Sequence, residues 1–326
     1  MNDPRITTPP TDDALARWAP EFGPRFWVTV DTEEEFDWTR PLAREGYGIA
    51  AVPALARFQA FCETSGVVPC YMLDYPVVAA AAEVVGPAVA AGRAEVGLQL
   101  HPWVNPPHDE DVTPANSYPG NLPVALERAK LLALRDAVAA HFGVSARAYR
   151  AGRYGVGAAT AQLLAEAGVA IDSSVRARFD YSAGGGPDFS ALGPKPWRVG
   201  GVLEVPLTTV FTGRLRRWGA ALFPRLWPER MRGVFVRTGL LERIPLTPEG
   251  TTIAEGLRAI DAALADGVPV LVFSMHSPSL APGHTPYVRD AAGVEALYAW
   301  WAAVFAHLAA RGARPVTAAD ILRGCR

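Results

Sequence analysis

The chain has 326 residues, of which 50% are hydrophobic and 20% are charged, and its formal net charge is −2 at pH 7. This composition excludes an intrinsically disordered chain, and the charge argues against a nucleic-acid-binding protein that depends on phosphate neutralisation. The three cysteines, Cys62, Cys70 and Cys325, match neither a zinc-ribbon spacing nor a disulfide framework, which favours a reduced, cytoplasmic setting. Residues 1–23 lack the apolar core of a signal peptide, and no stretch has the length and hydropathy expected of a transmembrane helix.

Short apolar runs alternate with helical patterns along the chain, which is typical of a parallel α/β fold. The predicted strands are 26–31, 67–74, 94–101, 146–150, 169–173, 202–206, 268–275 and 315–317. The predicted helices are 51–64, 76–91, 122–142, 158–167, 253–265 and 294–310. Pro87 is expected to kink or end the second of these helices. The alternation predicts one distorted (β/α) barrel domain of about seven strands over residues 1–326, with a doubly wound sheet as the alternative.

Two segments interrupt the alternation and are predicted to be insertions. Residues 102–121 are rich in proline and predict a long loop, and residues 180–250 form the larger interruption. Within the second, residues 214–244 contain eight arginines and two glutamates, interleaved with aromatic side chains that include Trp218 and Trp227. This pattern is consistent with a solvated helical insertion that covers the barrel, or with a surface for an anionic glycan or a membrane.

Polar side chains follow six of the predicted strands, at the barrel end where ligands bind in parallel α/β folds. They are Asp31, Glu33, Glu34, Glu35 and Asp37 after the first strand, then Asp74, His101, Arg150 with Arg153, Asp172 and His276. Such a set suits metal-assisted hydrolysis, in which histidine and carboxylate hold a divalent ion that lowers the pKa of water to about 7. A further carboxylate can act as general base, and a histidine can protonate the leaving group. Asp31 and Glu33 are two residues apart in an extended segment, so they can share a side and perform one of these roles each.

Five motifs, in order, resemble those of the polysaccharide deacetylases of carbohydrate esterase family 4, and within them the WalW-like branch. They are Val28-Thr-Val-Asp-Thr-Glu33, Glu95-Val-Gly-Leu-Gln-Leu-His-Pro-Trp103, Tyr149-Arg-Ala-Gly-Arg-Tyr-Gly155, Ile171-Asp-Ser-Ser-Val175 and Phe273-Ser-Met-His-Ser-Pro-Ser279. The resemblance implies a distorted (β/α) barrel and a divalent metal cofactor, commonly zinc. It also implies a metal-dependent deacetylase that hydrolyses ester bonds or non-peptide carbon–nitrogen bonds of an acetylated saccharide.

Carried over by position, the resemblance also implies a role for individual residues. Asp31 would be the general base and Glu33 a metal ligand in place of the more usual aspartate. Arg150 would orient the base, and His276 would be the general acid. Asp172 would lie behind this group, near Arg150 and His276.

The second motif departs from the family pattern, which has two histidines four residues apart. Gln99 and Trp103 occupy the two expected positions, and His101 lies between them. The metal ligands that remain are Glu33 and His101, and the third is open: His108 and Asp74 are candidates. A degenerate site that binds no metal is the alternative.

Four residues beside these motifs are predicted to bind the substrate: Asp74, Trp103, Arg153 and Tyr154. Trp103 and Tyr154, together with Trp38, are aromatic side chains of the kind that stack on a sugar ring, although each would also suit the core. Two other functions stay open beside the deacetylase. One is a metal-free glycoside hydrolase that pairs Asp31 with Asp74 or Asp172. The other is a non-catalytic glycan-binding protein on a degenerate barrel.

Overall fold

The computed structural model describes residues 5–37, 39–225 and 229–326. Trp38, which was expected to stack on a sugar ring, and Trp227 of the segment 214–244 lie outside these residues. The strands are β1 (Arg25–Thr32), β2 (Cys70–Leu73), β3 (Glu95–Leu100), β4 (Ala148–Ala151), β5 (Ile171–Asp172), β6 (Trp197–Val199), β7 (Val202–Glu204), β8 (Thr209–Thr212), β9 (Glu242–Pro245), β10 (Val270–His276) and β11 (Arg314–Pro315). The α-helices are α1 (Leu55–Thr64), α2 (Val78–Ala90), α3 (Val124–Phe142), α4 (Thr160–Glu166), α5 (Gly219–Leu222), α6 (Glu229–Arg237), α7 (Ile253–Ala265), α8 (Ala291–Ala310) and α9 (Ala318–Gly324).

The main sheet has the strand order β10-β1-β2-β3-β4-β5-β7-β6, and β11 pairs with the start of β1. Its strand pairs are parallel except β6 and β7, which are antiparallel. Helices α1 to α4 connect the successive parallel strands from β1 to β5, and helices surround the curled sheet; between the parallel neighbours β5 and β7 the chain has β6 and no α-helix. The predicted distorted (β/α) barrel is thereby confirmed.

A short irregular segment connects the two sides of the curled sheet. The backbone N–H of Thr208 donates to the carbonyl of Val272 in β10 at 3.2 Å, and the N–H of Leu246 donates to the carbonyl of Thr208 at 2.9 Å. The N–H of Ser274 then donates to the carbonyl of Leu246 at 3.2 Å. The barrel is distorted because these few bonds, rather than a complete strand, link β10 to the chain that follows β7.

Side chains that alternate along the strands divide the apolar core into two layers. Six strands contribute to the cluster inside the barrel, which includes Trp27, Cys70, Met72, Ala148, Ile171, Leu203, Val270 and Val272. The intervening residues, such as Val28, Tyr71 and Phe273, pack outward against the helices. This alternation decides which polar residues at the strand ends face the barrel mouth.

Several elements differ from the sequence-based prediction. Helix α2 continues through Pro87 to Ala90, because Pro87 lies in the last turn and removes only one backbone hydrogen bond there. The segment 214–244 is only partly helical, since β8 and β9 form an antiparallel pair around α5 and α6. Two further elements, β6 and α9, were not predicted, because their apolar runs are short.

The arginines of the insertion differ in their surroundings. The guanidinium carbon of Arg243 lies 3.7 Å from the ring centroid of Phe179, and that of Arg232 lies 4.7 Å from the ring of Phe223. Trp218, in contrast, has 67% of its surface exposed. Contact of this segment with a membrane or an anionic glycan stays a prediction.

Within the described parts of the chain, no helix combines the length and hydropathy needed to cross a membrane.

Candidate active site

The strand alternation places the polar groups of five neighbouring strands at one mouth of the barrel. Asp31 has the same parity as the interior residue Trp27 on β1, and His276 has the same parity as Val272 on β10. Asp31 and His276 are also register partners across the β1–β10 pair. Asp74 and His101 directly follow the end regions of β2 and β3, and Gln99 and Arg150 are register partners on β3 and β4. Together these positions build a polar cluster on top of the apolar interior.

A buried ion pair joins Asp31 to Arg150. Asp31 Oδ1 accepts a hydrogen bond from Arg150 Nη1, and Arg150 is fully buried. Other Arg150 nitrogens donate to the carbonyl of Ser173 at 2.9 Å and to Thr29 Oγ1 at 3.0 Å. The guanidinium is therefore fixed on several sides, and it leaves the second Asp31 oxygen directed towards His276.

His276 faces Asp31 with one ring nitrogen and Glu249 with the other. Its Nε2 lies 3.9 Å from Asp31 Oδ2, and its Nδ1 lies 2.7 Å from Glu249 Oε2. Burial disfavours the imidazolium, but the carboxylates of Glu249 and Glu33 outweigh it and raise the pKa of His276 to about 10. The ring is thus held as a proton donor with its Nε2 edge towards Asp31.

Glu249 has a role in the site that the sequence analysis missed. It lies after β9, in the segment assigned to the insertion, 27 residues before His276. Its Oε1 also accepts hydrogen bonds from the backbone N–H of His276 at 3.2 Å and from Ser279 Oγ. No motif of the sequence marks Glu249, because the fold alone brings it to the end of β10.

Three polar atoms of Glu33, Gln99 and His101 come together at the barrel mouth. Gln99 Nε2 lies 3.0 Å from Glu33 Oε2 and 3.3 Å from His101 Nε2. His101 Nε2 lies 3.5 Å from the same Glu33 oxygen. Burial raises the pKa of Glu33 to about 7, although His276 and His101 act in the opposite direction. The effect of burial on Glu33 therefore outweighs that of the two histidines.

The opposite edge of His101 is enclosed by two more carboxyl groups. Its Nδ1 lies 3.0 Å from Glu34 Oε2 and 3.5 Å from Asp74 Oδ2. Burial and the charge of Glu34 raise the pKa of Asp74 well above its ordinary value, so Asp74 holds a proton while Glu34 pairs with His101. In the described part of the chain, Glu34, Asp74 and His101 form a group whose possible metal-ligating atoms lie within 4.8 Å of one another.

Four residues that were predicted to act at the site lie where they do not line the cavity. Trp103 was expected to bind substrate, but it is buried behind His101, stacks on that ring with centroids 4.5 Å apart, and donates from Nε1 to Glu34. Asp74, also expected at the substrate, is fully buried on the same side. His108 is exposed on the loop after β3, away from the enclosed cluster.

Asp172, the fourth of these residues, differs from its expected position because of strand alternation. On β5, Ile171 faces the barrel interior, so Asp172 faces outward. There it contacts Ser174 and Glu204. The charge of Arg150 affects the pKa of Asp172 less than burial and these two contacts do. Its contacts therefore do not include His276.

A cavity of about 230 Å³ opens between these groups. Its lining includes Asp31, Glu33, Gln99, His101, Arg150, Arg153, Tyr154 and His276. A larger cavity of about 890 Å³ adjoins it, and Glu33 and His276 line both. The combined space leads from the charged groups to the surface.

Arg153 and Tyr154 reach the cavity through an unusual backbone conformation. Their φ angles are 53° and 62°, in the left-handed region that side chains other than glycine rarely adopt. The preceding Gly152 lies so close to β3 that a Cβ there would be 2.4 Å from the carbonyl oxygen of Leu100. Arg153 is held over the ring of Tyr118 at 4.4 Å. A strained turn of this kind, at a cavity, is typical of residues that are positioned for a ligand.

Comparison with known proteins gives structural likenesses without sequence relatives. No family model matches the chain, and no curated protein matches its sequence. A protein from Mycobacterium smegmatis assigned as a polysaccharide deacetylase has a TM-score of 0.50 and 19% identity, with 95% of this chain and 97% of that chain covered. A 4-alpha-glucanotransferase from Thermococcus litoralis has a TM-score of 0.53 and 12% identity, covering 92% of this chain and 40% of that chain. A GH57-type branching enzyme from Pyrococcus horikoshii has a TM-score of 0.52 and 11% identity, covering 93% and 70%.

At these identities the likenesses describe the fold. The curled parallel sheet and its helices are shared with a protein assigned as a polysaccharide deacetylase over nearly the whole of both chains. The same barrel occurs in enzymes named for glucan transfer and branching. The chain thus has a deacetylase-like (β/α) barrel with a polar cavity at its mouth.

Proposed function

We propose that the protein is a hydrolase that removes an acetyl group from an acetylated saccharide. The observation that carries this proposal is the pairing of Asp31 and His276 at the cavity. Their facing atoms are 3.9 Å apart, and each is held from behind by a partner of opposite charge, Arg150 or Glu249. A base and an acid fixed in this way on one cavity are the groups that acyl transfer to water requires.

In the proposed mechanism, the Asp31 carboxylate accepts a proton from the attacking water as the water oxygen bonds to the acetyl carbon. Arg150 keeps the carboxylate oriented and limits its movement. The His276 imidazolium then donates its Nε2 proton to the oxygen or nitrogen of the leaving sugar as the acyl bond breaks. The products are acetic acid, which ionises to acetate in water, and the deacetylated sugar. The proton on Asp31 then passes to His276, which restores both groups, and Glu249 favours the protonated form of His276.

The residues around Glu33 and His101 fit a divalent cation in their chemistry. They offer carboxylate oxygen and imidazole nitrogen, which are common ligands of such ions, and Glu33 Oε2 and His101 Nε2 lie 3.5 Å apart. Glu33 and His101 would hold the ion at the cavity, where it would polarise the acetyl carbonyl and lower the pKa of water.

The walls of the two cavities suit a sugar. Tyr154 lines the smaller cavity with an aromatic side chain, and Arg153 lines it with a guanidinium that can donate hydrogen bonds to hydroxyl or carboxyl groups. The larger cavity has room for neighbouring sugar units beyond the acetylated one. We therefore propose an oligosaccharide or polysaccharide substrate.

Acetate release from N- and O-acetylated oligosaccharides tests this proposal. We expect release by the Zn²⁺- or Co²⁺-loaded protein, and a decrease of at least 100-fold for Asp31→Asn and for His276→Asn. Asp261 Oδ1 and His307 Nε2 form a similar pair, 2.8 Å apart, that does not line the cavity. Asp261→Asn and His307→Asn are therefore matched controls that should keep the wild-type rate. Full activity in Asp31→Asn would contradict the assignment of the base. Binding of the same oligosaccharides without acetate release would favour a glycan-binding protein.

A second candidate is a metal-free glycoside hydrolase or transferase that uses two carboxyl groups. Asp74 and Asp172 do not line the cavity, but Glu33, with its pKa raised to about 7, shares the cavity with Asp31. The two glucan-processing enzymes of similar fold give this candidate some support. It predicts cleavage of a glycosidic bond at an undiminished rate in the presence of a chelator. Loss of activity with the chelator and recovery with added metal would exclude it.

A further inference from the structure

The second motif has one histidine where two are expected, so the cation site needs another ligand. We propose that Gln99 supplies it, through its side-chain amide oxygen, beside Glu33 Oε2 and His101 Nε2. This inference deepens the proposed function and rests on it, because it completes the cation site of that cavity.

The first support is the spacing of the three ligand atoms. Gln99 Nε2, whose place Oε1 takes when the amide turns over, lies 3.0 Å from Glu33 Oε2 and 3.3 Å from His101 Nε2, and the remaining side of the triangle is 3.5 Å. Metal–ligand bonds of roughly 2.0–2.2 Å at tetrahedral or octahedral angles separate neighbouring ligand atoms by roughly 3.0–3.5 Å. One cation can therefore contact all three groups without a change of backbone.

The second support is the orientation of the Gln99 amide. In the orientation described, Nε2 points to Glu33 and His101, while Oε1 is buried and has no hydrogen-bond partner among the described residues. The two ends of a glutamine amide have nearly the same shape, so their assignment depends on their partners. A half-turn about the last side-chain bond places Oε1 in the triangle, where it can ligate a cation.

The third support comes from the two edges of His101. Its Nδ1 edge is committed to Glu34 and Asp74, which are 2% and 0% exposed. A cation at that edge would be enclosed and could not reach a substrate. The Nε2 edge faces the cavity with Asp31 and His276. A carboxylate on one imidazole nitrogen is the arrangement that orients a histidine whose other nitrogen ligates a metal.

Position 103 cannot take this role in the present fold. Trp103 has no lone pair to offer a cation, and its indole N–H already donates to Glu34 at 3.1 Å. We therefore assign the place of the missing histidine to Gln99 on β3, whose side chain points to the same side of the extended chain as His101 two residues later.

Metal binding to the full-length protein tests the inference without reference to activity. We would measure the Kd for Zn²⁺ and Co²⁺ by chelator competition, and count imidazole ligands in the Zn²⁺ protein by X-ray absorption. We expect one ion per chain and one imidazole. Gln99→Leu should raise both Kd values at least tenfold, and Gln99→His should lower the Kd for Zn²⁺ and raise the count to two imidazoles. Gln59→Leu replaces a similarly buried glutamine on α1 and should leave both Kd values within twofold.

Three results would overturn the inference. The first is a Gln99→Leu protein with unchanged Kd values. The second is a Gln99→His protein that still shows one imidazole, and the third is a wild-type protein that binds no ion stoichiometrically. Loss of binding in Asp74→Asn, with normal binding in Gln99→Leu, would place the ion at the enclosed edge of His101 instead. Acetate release is measured separately, so a deacetylase with a different ligand set remains distinguishable from a protein with no deacetylase activity.

Discussion

Asp31 and His276 are held at the cavity in different ways. Asp31 and Arg150 form a pair that is almost completely removed from water, whereas the His276 side chain is 35% exposed. Removing one member of the first pair therefore leaves an isolated buried charge, but removing the partner of His276 changes chiefly its protonation. The stability of the protein therefore reports on the Asp31–Arg150 pair, and the pKa of His276 reports on the His276–Glu249 pair.

For the Asp31–Arg150 pair, we expect Asp31→Asn to lower the free energy of unfolding by about 3 kcal/mol, because Arg150 loses its buried counter-charge. The double variant Asp31→Asn with Arg150→Met should recover part of this loss, since it removes the unpaired charge as well. Urea denaturation of the two variants and the wild type measures both effects. If the double variant is less stable than the single one, the charge pair is not the cause of the loss.

For the His276–Glu249 pair, we expect Glu249→Gln to lower the pKa of His276 from about 10 towards the ordinary value of 6.5. The carboxylate that favours the imidazolium is then absent, although the amide oxygen of the introduced glutamine can still accept a hydrogen bond from Nδ1. NMR titration of the His276 ring protons measures the shift, and Asp261→Asn serves as a distant control. A pKa that stays near 10 in Glu249→Gln would show that another group stabilises the protonated form of His276.

At the scale of elements, α3 and α4 meet at a buried carboxyl group. Glu127 on α3 accepts a hydrogen bond from Thr160 Oγ1 of α4 at 2.6 Å, and burial raises the pKa of Glu127 to about 7. In the unfolded chain the carboxyl titrates near its ordinary value of 4.5. The folded state thus binds more protons between these two pH values, and its stability falls as the pH rises through them.

Glu127→Gln should remove this part of the pH dependence. We expect the variant to match the wild type at pH 4 and to exceed its stability at pH 8, because glutamine keeps an acceptor for Thr160 without a buried charge. Thermal unfolding across this pH range measures the difference. Equal pH dependence in the two proteins would mean that Glu127 is ionised at little cost in the fold.

The attachment of the loop after β3 to α3 is a second feature at the scale of elements. Lys130 on α3 is fully buried, and its Nζ donates to the carbonyl groups of Pro102, Asn105 and Pro107. It also forms an ion pair with Glu110 at 3.0 Å. One side chain therefore replaces the regular backbone bonds that this proline-rich loop lacks, and it holds the chain immediately after His101.

At the scale of the whole molecule, the alternation of apolar and helical segments was sufficient to predict the barrel and most of its strands. The strand ends also indicated Asp31, His101, Arg150 and His276, because local sequence specifies where a strand stops. The side of the sheet to which each side chain points was harder to predict. Along β5, Ile171 points into the barrel, and Asp172, one position later, points outward. Glu249 could not be predicted, because its contact with His276 depends on how the insertion folds back.

The burial of the cysteines gives a test of the global fold. Cys62 and Cys70 are fully buried, and burial raises the pKa of both thiols, whereas Cys325 is only partly buried. We expect a thiol reagent to modify Cys325 in the native protein, and Cys62 and Cys70 only as the molecule unfolds. Reaction with Ellman's reagent, in buffer and in urea, measures this; three thiols reacting equally fast in buffer would contradict the described packing.

The buried position of Lys130 makes the opening of the loop after β3 chemically visible. Lys130 and Lys195 are the only lysines of the chain, and Lys195 is exposed while Lys130 is not. An amine-selective acylating reagent therefore modifies Lys195 at once, and it reaches Lys130 only in molecules whose residues 102–110 have lifted from α3. That segment begins directly after His101, which lines the cavity. The slow acylation of Lys130, measured by mass spectrometry relative to that of Lys195, therefore reports how often the rear of the cavity opens.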